Sequence, residues 1–378
     1  MDVRQLASIN DIPATDWNAI CATDYPFIRH EFLCALEQSG AVSEAAGWLP
    51  QHLAVYDNHQ LIAVMPGYLK THSYGEFVFD FQWAEAYQRH ALDYYPKWIS
   101  AIPFSPVTGP RLCVRAGYDV TVIAALLVDQ IKQQVSEQKL SSWHLLFPER
   151  ALAEQFAALG LPIRKAVHFQ WFNENYSGFD DFLAQFNSRK RKNLRKERQR
   201  VIDQGITLER IEGKYITADL WERFYHFYQL TYLKRSGHSG YLEKSFFELL
   251  GQAMPDNLLM VIARKDGNVI AGALNLKDTR TLYGRYWGCY EEYDFLHFEA
   301  CYYQGIDYCI EHRLQRFDPG AQGEHKIQRG FRPVYTYSNH WIADTRFRDA
   351  IRQFLIREEN YIDSYKADAE TYLPFKQD

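Results

Sequence analysis

The stretch from Phe295 to Pro333, FLHFEACYYQGIDYCIEHRLQRFDPGAQGEHKIQRGFRP, decides the fold and contains the first candidate site residues. At 100° per residue, a helix that begins at its start has an apolar face interrupted by a single carboxylate, Glu299. A buried carboxylate must be paired, hydrogen-bonded or protonated. Glu299 is therefore predicted to be either a reacting group or the ion-pair partner of an arginine such as Arg285 or Arg329. The predicted face consists of Phe295, Glu299, Tyr302, Tyr303, Ile306 and Ile310.

A polar loop follows this helix. Arg316–Asp318 is predicted to be a short strand, and Pro319 and two glycines end it. In open α/β sheets, ligands bind just beyond strand ends, so the pattern predicts a reaction site. A solvated loop without a ligand is the alternative interpretation. The polar side chains of the loop are Gln322, Glu324, His325 and Lys326.

Composition limits the class of protein. The chain has 378 residues, of which 47% are hydrophobic and 16% aromatic, so it is long enough for two domains with substantial cores. No apolar run approaches the roughly 18 residues needed to cross a bilayer, and a cytoplasmic location is expected. The six cysteines lack metal-ligand spacing, so no metal is expected. A net charge of −5 disfavours a dedicated nucleic-acid-binding protein.

Two hairpin patterns indicate an internal repeat. Residues 51–68 and 258–276 each contain two apolar runs around a turn. At a constant offset of 208 residues, the pair Tyr94-Tyr95 matches Tyr302-Tyr303, and Phe79 matches Trp287. Two related α/β halves are therefore predicted, with limits at 1–165 and 166–378. Ala91 is the first-half counterpart of Glu299, so the acid is expected in the second half alone.

A strongly basic helix is predicted in the middle of the chain. Eight of the twelve residues from Arg189 to Arg200 are Lys or Arg. Leu194 and Val201 form an apolar stripe that also includes Lys190, which either extends to the edge of the helix or reaches a pocket. The remaining cations suit a phosphate-bearing ligand, and a solvated helix is the alternative. They are Arg191, Lys192, Arg195, Lys196 and Arg198.

These segments together resemble a bacterial group of predicted N-acyltransferases described as related to peptidoglycan biosynthesis. The group belongs with the Fem-type aminoacyltransferases in the GNAT-like superfamily. The resemblance spans most of the chain, and it implies tandem GNAT-like halves with mixed β-sheets flanked by helices. Its motifs are PFIRHEFLCALEQSG, GWLPQHLAVY, FNSRKRKNLRKERQRV, LYGRYWG, LHFEACYYQGIDYCI and GAQGEHKIQRGFRP.

The resemblance implies transfer of an acyl or aminoacyl group from acyl-CoA or aminoacyl-tRNA to a small-molecule amine, which in this group includes cell-wall precursors. In GNAT enzymes a Q/R-x-x-G-x-G/A loop binds the CoA pyrophosphate. The corresponding stretch here is Arg285–Tyr290, whose last residue departs from that pattern. A bulky side chain there crowds amides that must approach phosphate.

Amide formation needs a proton acceptor and a donor that stabilises the oxyanion. Glu299 is the predicted general base, with Glu324 and His325 as competing bases, and Tyr286 or a backbone N–H is the predicted oxyanion donor. The alternative function is a non-catalytic nucleic-acid or glycan-binding protein that retains the acyltransferase fold. The predicted substrate-binding residues are Lys190, Arg191, Arg195, Arg285, Tyr302, Gln322, Lys326 and Arg329.

Overall fold

A computed structural model describes residues 1–321 and 323–376 of the chain. The described chain forms two compact units. The first contains residues 1–167 and 335–365, and the second contains residues 168–334 together with the segment that begins at Lys366. The domain limits expected from the sequence, 1–165 and 166–378, stay a prediction.

The first unit contains an antiparallel sheet in the order β1-β3-β4-β7. A second group has the order β15-β8-β6-β5-β2, in which β6 and β8 are parallel. The strands are β1 (Asp2–Leu6), β2 (Trp48–Pro50), β3 (His52–Asp57), β4 (Gln60–Met65), β5 (Tyr68–Lys70), β6 (Lys97–Ser100), β7 (Cys113–Val114), β8 (Ser142–Leu146) and, after the second unit, the part of β15 (Arg332–Ile342) that starts at Tyr335.

Helices cover these strands. In the long helix α4, apolar residues recur every three or four positions, and Asp119 caps its start by accepting a bond from the Thr121 N–H at 2.8 Å. Its buried stripe packs on Trp98 and Trp143 in the core of the unit. The helices are α1 (Ala14–Cys21), α2 (His30–Gln38), α3 (Phe81–Arg89), α4 (Val120–Glu137), α5 (Arg150–Ala158) and, near the C-terminus, α12 (Thr345–Thr371).

The second unit contains strands in the order β10-β11-β12-β13-β14-β9. These pairs are antiparallel except β13 and β14, which are parallel. The strands are β9 (Ile163–Phe172), of which the part from His168 belongs to this unit, β10 (Ile206–Glu212), β11 (Leu258–Lys265), β12 (Asn268–Lys277), β13 (Thr281–Cys289) and β14 (Arg316–Asp318). The predicted strand Arg316–Asp318 and the hairpin β11–β12 are confirmed.

The helix predicted from Phe295 is not a regular α-helix. It consists of α10, a π-helical turn at Glu299–Tyr303, and α11. Phe295 is 40% exposed and has a φ of 61°, so its predicted place in the buried face is wrong. The helices of this unit are α6 (Phe179–Ala184), α7 (Ser188–Asp203), α8 (Ala218–Ser236), α9 (Lys244–Ala253), α10 (Leu296–Phe298) and α11 (Gln304–Glu311).

The predicted repeat holds at the hairpins and fails beyond them. Strands β3 and β4 form the same antiparallel hairpin as β11 and β12. Tyr94 and Tyr95, however, lie between α3 and β6, whereas their predicted counterparts lie on the π-helical turn. Ala91 follows the end of α3 with a φ of 54°. The single offset is therefore wrong for this segment, because the first unit has no helix at that point.

No helix in residues 1–321 or 323–376 is long and apolar enough to cross a membrane.

Candidate functional site

The candidate site in the second unit begins where two parallel strands stop pairing. The β13–β14 ladder ends at the pair Tyr283 and Asp318. Strand β13 continues to Cys289, but β14 ends at Asp318, and the chain turns away through Gly320, whose φ is +96°. Only glycine adopts such a backbone readily. The last six residues of β13 therefore have no β14 partner, and a gap opens beside this strand.

Asp318 organises the closed end of this gap. One carboxylate oxygen accepts a bond from the Gly320 N–H at 2.9 Å and from Arg285 at 3.3 Å, and the other accepts a bond from Gln170 at 3.1 Å. Burial opposes ionisation of this carboxyl, but Arg285, His168, the Gly320 N–H and Lys326 together outweigh that effect, and the pKa of Asp318 is lowered. Asp318 is thus a fixed negative charge that holds the predicted binding residue Arg285 in place.

Lys326 lies next to this pair on a short 3₁₀-helix, Glu324–Arg329. The lysine is only 3% exposed, and its Nζ donates a bond to the Gly320 carbonyl at 2.7 Å. Burial lowers its pKa to about 8, Asp318 opposes this shift, and Arg285 adds to it. A buried cation is therefore held where the chain leaves β14, although burial disfavours its charge.

His325 and Tyr302 form a hydrogen-bonded pair beside Lys326. The Tyr302 hydroxyl and His325 Nε2 are 2.8 Å apart. Burial lowers the pKa of His325 to about 4, and Lys326 and Arg329 add to this shift. Burial raises the pKa of Tyr302, so the phenol keeps its proton. His325 is thus a neutral imidazole at pH 7.

A second imidazole shows the same positive field. The rings of His297 and Tyr302 lie 5.4 Å apart. Burial lowers the pKa of His297 to about 3, and His325, Lys326 and Arg329 contribute to the shift. The sequence analysis did not include His297 as a site residue. Burial is the largest cause of both shifts, and the cations that add to them also favour an anionic group nearby.

Glu299 has a different environment from the one expected of a general base. It is 4% exposed, and its two oxygens accept bonds from Arg198 at 2.9 and 3.1 Å. Gln304 donates to the same carboxylate at 2.8 Å, and Arg198 also reaches Asp307 at 2.8 Å. The predicted partners, Arg285 and Arg329, are wrong, because Arg198 of the basic helix fills that position. The catalytic role of Glu299 stays a prediction, and its contacts favour an anchoring role.

Arg329 supports the same side of the site. Its guanidinium donates to Glu197 at 2.9 Å and to the His325 carbonyl at 2.7 Å. It also lies 3.4 Å from the centre of the Phe298 ring, and Tyr303 donates to the same Glu197. Arg329 therefore ties the 3₁₀-helix to α7 and fixes the backbone of His325.

The basic helix α7 has two functional faces. Asn187 caps its start by accepting a bond from the Lys190 N–H at 3.0 Å. The inner face carries Glu197 and Arg198 toward the site. Lys190 is half-buried, and its Nζ donates to Gln328. The outer face borders a shallow groove of about 430 Å³ lined by Ser188, Arg191, Lys192, Arg195, Lys196 and Gln199.

The predicted oxyanion donor Tyr286 packs among aromatic rings away from Lys326 and His325. Tyr286 packs against Tyr228 and Phe247, with ring centres 5.7 and 5.4 Å away. It follows Arg285 on β13, at a bulge in the ladder with β12 where Arg285 is the extra residue. Glu324 is exposed. Gln322 lies outside the described residues.

The stretch matched to a CoA loop is a strand. Gly288 pairs with Gly272 within the β12–β13 ladder, and a Cβ at Gly288 would lie 2.0 Å from the Phe227 carbonyl. The glycine is needed for packing on α8, and the predicted correspondence is wrong. The loop that follows β13 instead carries the exposed carboxylates Glu291, Glu292 and Asp294 and contains no glycine. Arg200 pairs with Asp294 at 3.2 Å, and Lys234 lies 3.9 Å from Glu292.

Among residues 1–321 and 323–376, no group of His, Cys, Asp and Glu side chains is arranged to hold a metal ion.

Together, the parallel strands that separate, the buried lysine and the neighbouring cations define the candidate site of a mixed α/β fold. The chain matches the model of the FemAB-like family, described as peptidoglycan biosynthesis/recognition, over residues 8–377. It belongs to this family, as the sequence motifs predicted. A search of curated proteins finds no match.

Similar solved structures confirm the predicted Fem-like fold of the GNAT type. FemX is 14% identical, with a TM-score of 0.54 over 90% of this chain and 97% of FemX. L-PGS from Bacillus licheniformis is 11% identical, with a TM-score of 0.51 over 87% of this chain and 96% of that one. A conserved protein of unknown function from Bacteroides thetaiotaomicron is 10% identical, with a TM-score of 0.52 over 90% and 99%.

Proposed function

We propose that this protein is an N-acyltransferase that moves an aminoacyl group from aminoacyl-tRNA to an amine of a peptidoglycan precursor. The observation that carries the proposal is Lys326, a cation that is 3% exposed at the point where β13 and β14 separate. Membership of the FemAB-like family supports the precursor as acceptor. The similar fold of FemX supports the tandem arrangement.

The environment of Lys326 suits a developing negative charge. During acyl transfer the amine nitrogen attacks the carbonyl carbon, and the carbonyl oxygen becomes an oxyanion. Lys326 and Arg285 provide positive charge beside the gap. Asp318 holds Arg285, and the Gly320 carbonyl holds Lys326. A preorganised cation of this kind stabilises the transition state more than the substrate.

His325 is the proposed proton acceptor. As the new C–N bond forms, the amine proton passes to the unprotonated nitrogen of the imidazole. It then passes to the ribose oxygen as the ester C–O bond breaks. In the tautomer in which Nε2–H donates to the Tyr302 hydroxyl oxygen, this bond orients the ring, and Nδ1 is the unprotonated nitrogen that accepts the proton. This assignment replaces Glu299 as the proposed base, because Arg198 and Gln304 already occupy both Glu299 oxygens.

The donor is inferred from charge. The loop after β13 has three carboxylates and no glycine, an arrangement that suits a CoA pyrophosphate poorly. The outer face of α7 offers Arg191, Lys192 and Lys196 as exposed or half-exposed cations that suit a nucleic-acid backbone. These observations favour tRNA over acyl-CoA as donor, and no step is assigned to CoA.

A binding experiment tests the donor. The thermal stability of the protein is measured with acetyl-CoA, with free CoA and with bulk tRNA at low and high salt. We expect stabilisation by tRNA that weakens as salt rises, and none by either CoA species. Stabilisation by acetyl-CoA alone would refute the proposed donor. Stabilisation by tRNA without any transfer would favour the non-catalytic alternative.

A further inference from the structure

A loop of the first unit is built with its charges inside and its aromatic rings outside. The segment from Thr71 to Asp80 covers the buried Lys97 on β6, which is 0% exposed. Lys97 donates to Ser73 at 2.8 Å and to Glu76 at 2.9 Å, and it also donates to Asp80. Both carboxylates are nearly inaccessible, at 4% and 3% exposure. These polar contacts fix the loop on the sheet.

The aromatic side chains of the same loop face outward. Tyr74 is 59% exposed, Phe79 is 58% exposed, and Phe81 at the start of α3 is 46% exposed. Phe79 and Phe81 stack with ring centres 6.2 Å apart, and Tyr74 contacts Phe81 at the same distance. The three rings therefore form one protruding ridge.

A loop with buried charges and exposed aromatic rings is the opposite of what stability alone favours. Burying a charge cluster gives little net stability compared with apolar residues of similar size. Exposed phenyl rings lose the roughly 25 cal/mol per Å² that burial provides. The loop is thus held rigidly in a form that presents aromatic rings to the outside.

The ridge borders an open groove of about 800 Å³ in the same unit. Trp83 and Phe354 form its apolar floor, and Tyr361 on α12 is 69% exposed at its side. The ridge and groove together are called the aromatic surface. Its lining residues are Phe79, Phe81, Trp83, Arg164, Phe354, Arg357, Glu358 and Tyr361, with Gln82 beside them.

The charges on the aromatic surface select the kind of partner. Arg164 forms two bonds of 2.7 Å with Glu358, so its charge is balanced. Arg357 is exposed and forms no ion pair within the described residues. One net positive charge is too little for a nucleic-acid backbone, which needs a row of cations. An apolar floor with tyrosine hydroxyls and a single arginine at its edge matches the interfacial layer of a membrane.

We propose that the aromatic surface docks this protein on a bilayer that contains anionic phospholipid. Tyr74, Phe79 and Phe81 insert among the lipid headgroups and upper acyl chains, and Arg357 binds a lipid phosphate. This inference does not depend on the proposed transferase activity. Its support is the geometry of the first unit alone.

Vesicle sedimentation tests the proposal with the full chain. Vesicles of phosphatidylcholine with phosphatidylglycerol are compared with vesicles of phosphatidylcholine alone. We expect binding that is stronger to the anionic vesicles. The double variant Phe79→Ser and Phe81→Ser should lower the partition constant by about tenfold or more, because two inserted rings are lost. Arg357→Glu should remove the preference for anionic vesicles.

Tyr215→Ser is the matched control, because this tyrosine is 65% exposed on the second unit. It should leave vesicle binding unchanged. Urea unfolding checks that each variant is folded. The proposal is overturned if the wild type binds neither vesicle, or if the double variant binds as well as the wild type. It is also overturned if the double variant abolishes self-association or binding of oligouridine RNA instead of vesicle binding.

Discussion

Replacing Lys326 with methionine should make the protein more stable and inactive. Burial lowers the lysine pKa from 10.5 to about 8, so its charged form is less favourable in the folded state than in the unfolded state. At about 1.4 kcal/mol per pKa unit, this shift costs about 3 kcal/mol of stability at pH 7. Methionine removes that cost but loses the bond to the Gly320 carbonyl, worth about 1 kcal/mol. The expected net gain is about 2 kcal/mol at pH 7.

The sign of the pH dependence follows from the lowered pKa. Because the unfolded state binds the proton more tightly, the penalty is fully present below the folded pKa of about 8. It decreases as pH rises from there to 10.5, where the unfolded lysine also loses its proton. At pH 9.5 the penalty should be about 1 kcal/mol, so the advantage of the methionine variant should be nearly gone.

Urea unfolding of the wild type and of Lys326→Met at pH 7 and pH 9.5 measures this difference. Lys192→Met, on the exposed face of α7, is the matched control and should show no comparable pH dependence. The reasoning is refuted if the methionine variant is less stable than the wild type at pH 7. It is also refuted if the difference in the free energy of unfolding between the two proteins is the same at both pH values. Lys326→Met should lose transfer activity. Lys326→Arg should retain part of the wild-type activity at pH 9.5, because arginine keeps its charge.

The remaining predictions concern the other parts of the site. Arg198→Met should lower the free energy of unfolding by about 3–5 kcal/mol, because it leaves the buried Glu299 without its arginine partner. Adding Glu299→Gln should restore most of the lost stability. If urea unfolding shows no recovery in the double variant, the pairing is contradicted. His325→Ala should lower the transfer rate by about 100-fold or more at unchanged stability, and an undiminished rate would exclude it as the proton acceptor. Replacing Lys192 and Lys196 with glutamate should weaken tRNA binding and reduce its salt slope by about 2 in a filter-binding assay, whereas an unchanged slope would place the phosphate contacts elsewhere.

Regular elements could be predicted well from the sequence. The two turn motifs predicted both hairpins, and the proline and glycine that follow Asp318 marked the end of the short strand Arg316–Asp318. These features depend on local spacing, so one chain is sufficient to find them.

The pairing of charges could not be predicted. Arg198 lies 101 residues before Glu299, and the π-helical turn that aims Glu299 toward α7 has no sequence signature. The sequence places Arg198 with the other cations outside the apolar stripe of the basic helix, and nothing local distinguishes it from them. The stretch Arg285–Tyr290 was matched to a CoA-binding loop, but most of it lies within β13. Nothing local in the sequence shows that β13 continues to Cys289. Asp318 was identified as a strand end, and its contacts with Arg285 and Gly320 depend on where β14 stops.

A single-turnover transfer assay tests the central claim most directly. The purified protein is mixed with tRNA charged with a radiolabelled amino acid and with an amine-bearing peptidoglycan precursor, and labelled acetyl-CoA replaces the tRNA in a parallel reaction. The account predicts that label moves from tRNA to the precursor with the wild type, and that transfer is lost with Lys326→Met although that variant is folded. Transfer from acetyl-CoA alone, or undiminished transfer by Lys326→Met, would contradict it.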